Sequence, residues 1–108
     1  MKYKTIQLIE TDNRSLATEL TFELAVARAD GVELLKVSLP CGIDDTYKKI
    51  ATLTKLLRGM KDAKKIQFFA THENFRSSST EAVFLINKYP EIFENMQENE
   101  DTFIYVKL

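Results

Sequence analysis

The sequence is poor in the residue types that most often announce a chemistry. It holds one cysteine, one histidine and three glycines among 108 residues. The lone cysteine, Cys41, excludes an internal disulfide and fits a reducing compartment. One cysteine with one histidine cannot close a zinc site, so neither a metal nor a cofactor is expected. The glycines form no phosphate loop, and Gly42 alone is no motif. No apolar run approaches the ~20 residues that span a bilayer, which excludes a membrane helix. The opening Met-Lys-Tyr-Lys-Thr lacks the apolar core of a secretion signal, so the expected location is cytoplasmic. Excess charge is missing too. Fifteen Lys plus Arg stand against sixteen Asp plus Glu, which argues against binding nucleic acid or anionic membrane by bulk charge and leaves only a local patch.

What is present reads as one folded domain over residues 1–108, without repeats or linkers. Tyr3 to Ile9 predicts a strand, with Ile6 and Leu8 on one face. Thr11 to Ser15 is a polar break rich in N-cap types, and a helix follows to about Asp30. Its core stripe is Leu16, Leu20, Leu24 and Ala27. Phe22, Val26 and Ala29 lie on the opposite side. They are either covered within the chain or form a homodimer contact. Gly31 suits the left-handed residue that ends such a helix. Val32 to Leu39 predicts a buried strand, stopped by Pro40 and Gly42.

A second helix is expected from Asp44 to about Met60, with Ile50, Leu53, Leu57 and Met60 inward, an acidic first turn and a basic last turn. Lys65 to Thr71 predicts a third strand and residues 72 to 77 a loop. Ser78-Ser79-Thr80-Glu81 has capping-box spacing and opens a third helix with Ala82, Ile86 and Tyr89 on one face and Val83 at its margin. Pro90 ends that helix or starts a short extra turn. Residues 91–101 carry five acids and no base, a solvated connection tacked down by Ile92, Phe93 and Met96. Thr102 to Leu108 closes the chain as a strand, Phe103 and Tyr105 facing one way, Ile104 and Val106 the other. The order βαβαβαβ predicts an α/β fold, with α+β as the alternative. The expected architecture is a two-layer sandwich on a four-stranded mixed sheet. The first units pair in parallel through right-handed crossovers, and the last strand is open to antiparallel pairing.

Ligands of open α/β sheets collect at the carboxyl ends of strands, which makes residues 39 to 45 and His72 the place to search. His72 is a general base or ligand in one reading and a lone surface histidine in the other. Cys41, in a turn near a helix start, is an activated thiolate or a small buried residue. A Cys41–His72 pair requires both strands to run in parallel. Asp44 and Asp45 hold a cation through oxygen or cap a helix. Lys48, Lys49, Lys55, Arg58, Lys61, Lys64 and Lys65 put seven bases into residues 48–65 against the single acid Asp62. Lys48, Lys55 and Arg58 share one broad helical face. They contact phosphates of RNA or DNA, or they form a solvated face drawn to the helix C-terminus. No aromatic or arginine-rich reader accompanies them.

Three stretches resemble a known family in their order and spacing. They are Ala25 to Val37, with its Asp-Gly-Val and Leu-Leu-Lys-Val; Lys65-Ile66-Gln67-Phe68-Phe69 with Glu73-Asn74-Phe75 and Thr80-Glu81-Ala82; and Tyr89-Pro90-Glu91 followed by Phe103-Ile104-Tyr105-Val106. The chain resembles a divergent small MutS-related (Smr) domain, similar to the short stand-alone Smr-like proteins of Gram-positive bacteria. The resemblance implies the fold, nucleic-acid binding and, in some members, endonuclease activity. The family marks are Asp-Leu-His late in the first strand and His-Gly-x-Gly after the second. Here those places read Gln7-Leu8-Ile9 and Leu39-Pro40-Cys41-Gly42. Both histidines and the acid are missing, and His72 occupies neither position, so nuclease chemistry does not carry over. What the resemblance leaves is a non-catalytic binding domain with a contact surface near residues 40 to 49. The alternative is an interaction or regulatory module that self-associates through Phe22 and Val26.

Overall fold

The computed structural model describes residues 2–9, 12–39, 46–93 and 103–108. The chain begins with strand β1 (Tyr3–Gln7) and helix α1 (Asn13–Ala29). Asp12 caps α1, its side chain accepting from the Ser15 amide at 3.0 Å. That bond holds the Asp12 carboxyl below the usual carboxylate range. Leu16, Leu20, Leu24 and Ala27 are buried, as their spacing predicts. The helix ends in a Schellman motif: Gly31 has φ +74°, its amide donates to Arg28 O, and the Val32 amide donates to Ala27 O.

Strand β2 (Leu34–Ser38) follows, then helix α2 (Thr46–Asp62). Leu53 and Leu57 of α2 are fully buried, with Ile50, Leu56 and Met60 packed around them. The first described turn of α2 carries no acid, because Asp44 and Asp45 precede Thr46 and lie outside the described residues. Gly59 does not stop the helix. It stops beyond Asp62, at Lys64, which has φ +61° while the Lys65 amide returns to Met60 O. That closure occupies residues predicted to be strand, so β3 spans only Phe68–Thr71.

The expected loop after β3 is instead a helical turn, α3 (His72–Arg76). Thr71 and Asn74 form a reciprocal capping box there. Ser78, expected to open the next helix, closes α3 with φ +54°. Ser79 is the true cap of α4 (Thr80–Lys88), accepting from the Ala82 amide at 3.3 Å. The buried face of α4 is Ala82 and Leu85, continued by Tyr89. Ile86, expected inward, is exposed, as is Val83. Pro90 starts the short turn α5 (Pro90–Phe93), which buries Phe93 and partly buries Ile92. Met96 lies outside the described residues.

Strand β4 (Phe103–Lys107) completes a four-stranded sheet in the order β1-β2-β4-β3. β1 and β2 pair in parallel, while β4 is antiparallel to both β2 and β3. Every residue of β4 is buried, Lys107 included, as expected of an interior strand covered on both faces. Ile104 and Val106 join the main core beneath α1 and α2. Phe103 and Tyr105 join a second core with Leu34, Ala70, Leu85, Tyr89 and Phe93, covered by the short helices. The result is the expected α/β fold on a mixed sheet, its main sandwich made by α1 and α2. Among the described residues no helix is long and apolar enough to cross a membrane.

Candidate functional site

Helix α2 carries the basic residues and divides the surface around it. At about 100° per residue, Lys48, Lys55 and Arg58 fall within an arc of about 80° and span about 15 Å of helix axis. All three are exposed. Lys49 is not part of this ridge. It points about 100° away from Lys48 and is only 4 % exposed, which removes it from the expected phosphate contacts.

The two flanks of α2 differ in charge. On the β3 side a cleft is lined by Thr54, Arg58, Lys61, Glu73, Asn74 and Glu81, so two bases face two acids. On the α1 side three adjoining cavities, the first sharing Met60 and Lys65 with the second and Arg28, Lys65, Ile66 and Leu108 with the third, line one stretch of surface, the groove between α1 and α2. Its floor is Leu24, Leu56, Met60, Ile66 and Leu108, and its rim carries Arg28, Lys55, Lys64 and Lys65, with Lys61 at the boundary and lining the β3-side cleft as well. Among the described residues no acid lines any of the three cavities. The rim combines the last turn of α1, the last turns of α2 and the residues just after the Lys64 closure.

The strand-end region is only partly described. β2 and β3 run in the same direction, each antiparallel to β4, so their carboxyl ends lie at one end of the sheet. Cys41 and Gly42 lie outside the described residues. His72 is held at the first position of α3, half-buried, with its ring edge-on to Phe103 at 6.2 Å between centroids. Its Nδ1 is buried and has no hydrogen-bond partner among the described residues. A general base needs a placed group to orient it, and among the described residues no such group is on this side of the ring. Among the described residues, no three His, Cys, Asp or Glu side chains gather as a metal ligand set.

The remaining candidates are two apolar positions on α1. Phe22 is 64 % exposed, so the described chain leaves it uncovered. Val26 is half-buried. Sequence reasoning missed the groove because its walls come from separate elements. The nearest signal was the run Lys61 to Lys65, whose bases are set around Ile66 only once the turn at Lys64 is formed. No family model, curated protein or solved structure matches the chain.

Proposed function

We propose that this domain is a non-catalytic cytoplasmic module that binds nucleic acid through the exposed ridge of α2. The observation that carries this reading is the joint exposure of Lys48, Lys55 and Arg58 on one face, with the acid-free rim adjoining Lys55. The ridge offers point charges and no aromatic platform, which suits phosphate contacts to a backbone rather than stacking on bases. The resemblance to Smr domains, whose members bind nucleic acid, points the same way.

The test is a titration of labelled RNA hairpin, single-stranded DNA and duplex DNA at several salt concentrations. If the three ridge bases each meet a phosphate, the log–log salt slope for duplex is about −3. Lys48→Glu with Arg58→Glu lowers that slope by about 2 and weakens binding to every sequence alike. An absence of binding to all three probes at low salt rejects the reading.

Self-association is the second reading, carried by the exposed Phe22 on α1. It predicts a dimer mass in solution that Phe22→Asp reduces to a monomer. A wild-type chain that is monomeric at high concentration rejects it.

A further inference from the structure

The groove between α1 and α2 has a chemistry of its own. Leu24 and Ile66 are each 5 % exposed, and Leu56, Met60 and Leu108 are half-buried, so the floor is an aliphatic surface that the chain covers incompletely. Among the described residues five bases stand around it and no acid does. The adjoining cavities measure about 200, 590 and 440 Å³. Small-molecule sites commonly occupy about 300–1,000 Å³, with an apolar lining and a few convergent polar groups.

Charge and surface together narrow the occupant. A neutral apolar molecule leaves the basic rim without a partner. A bare inorganic anion leaves the floor in water. A cationic amphiphile meets five like charges. We infer that the groove binds a soluble single-chain amphiphile, with an anionic carboxylate or phosphate head among Arg28, Lys64 and Lys65 and an aliphatic tail along Leu56 and Met60. Arg28 supplies a planar donor fork for a bidentate contact to the head, and the lysines supply point charges. The tail gains the burial that the floor lacks.

This inference does not rest on nucleic-acid binding. The groove shares Lys55 with the ridge, while Lys48 and Arg58 line none of its cavities. Gly59 lines the groove and provides the means to block it. A Cβ built on Gly59 meets no atom within 4 Å, and the residue lies inside α2. A side chain begun at that position therefore enters open space beside the groove at its Cβ, and leucine favours the helix more than glycine does.

The experiment is calorimetric titration of the full chain with decyl phosphate and decanoate below their micelle concentrations. Decanol and decyltrimethylammonium serve as head-group controls, and anionic phospholipid vesicles as the membrane control. The two anionic probes are expected to bind, decanol at least about tenfold more weakly, and the cation not at all. Gly59→Leu is expected to weaken decyl phosphate by about tenfold or more with an undiminished melting temperature. Arg28→Glu with Lys65→Glu is expected to remove the preference for decyl phosphate over decanol. Lys48→Glu with Arg58→Glu, which targets the ridge, is expected to leave decyl phosphate binding intact.

Four results overturn the inference. They are equal affinity for decanol and decyl phosphate, affinity indifferent to Gly59→Leu, no binding by either anionic probe, and binding only to anionic phospholipid vesicles. The last assigns the bases to a membrane surface instead.

Discussion

Under α1 and α2 the buried sheet residues are leucine, isoleucine and valine, with Phe69 partly buried beside them; under α3, α4 and α5 the sheet meets mainly phenylalanine and tyrosine, with Leu34 and Ala70. Helix length accounts for the difference. α1 and α2 have 17 residues each and turn a side chain inward every three or four positions, so medium aliphatic groups fill the space between them. α3, α4 and α5 have five, nine and four residues and few inward positions. Each must then contribute more area, and a ring supplies about 150–250 Å². Phe75, Phe93, Phe103 and Tyr105 pack with centroids 4.9–5.7 Å apart, mostly tilted or edge-to-face. Large side chains bring polar atoms inside. The two buried polar atoms without a partner among the described residues, Tyr89 Oη and His72 Nδ1, belong to this aromatic side.

The strongest way to break the comparison is on the aliphatic face. Leu57→Ala removes a side chain with no exposure, and its tight surroundings leave a cavity. The expected loss is about 3–5 kcal/mol, read from urea or thermal unfolding. A loss under about 1 kcal/mol means that the aliphatic core collapses around small residues, contrary to the picture of a packed interior.

On the aromatic face the informative change keeps a large apolar side chain and removes the ring. Phe75 contacts Phe93, Phe103 and Tyr105 but is only half-buried. Phe75→Leu is expected to cost about 1–2 kcal/mol, through lost ring contacts more than lost area. Equal stability of the two proteins says that ring geometry is incidental there.

Tyr89→Phe sharpens the contrast with the opposite sign. The hydroxyl is buried, with no partner among the described residues, on a residue 4 % exposed, so removing it is expected to stabilise the chain by about 1 kcal/mol. A destabilisation of that size instead reveals a bound water or a hydrogen-bond partner.

The smallest expected effect compares how helices of the two faces end. α1 uses Gly31 at the left-handed position, while α2 uses Lys64 and α3 uses Ser78. Lys64→Gly and Ser78→Gly are each expected to add roughly 0.5–1 kcal/mol by relieving that conformation. A loss at Lys64 means that its side chain contributes more than the relief.

These endings also explain where the sequence was readable. Gly31 announced its turn by residue type, and the leucine stripe of α1 repeated long enough to fix its inner face. Lys64 and Ser78 adopt the same conformation without glycine, so the start of β3 and the cap of α4 shifted by one to three residues. α3 is five residues long, too short for a period, and its box ends in Asn74 instead of the usual Glu or Gln. In nine-residue α4, Leu85 and Ile86 are both apolar neighbours, and only packing shows that Leu85 is inside. The ridge was legible because it is a property of one helix. The groove was not, because helix packing brings Arg28 and Lys65 together from positions far apart in sequence.

The central position of β4 has a consequence for biosynthesis. A ribosome makes β1, β2 and β3 long before it reaches residue 103, yet β4 stands between β2 and β3 and bonds to both. Until then the nascent chain carries two separate sets of strand edges, with Val37 and Phe69 awaiting neighbours about 35–70 positions downstream. Such delayed, distant pairing slows folding and leaves edges open to other chains. The domain therefore closes after synthesis of its sheet is finished, and a chain stalled before β4 is a substrate for chaperones and proteases rather than a smaller version of the fold.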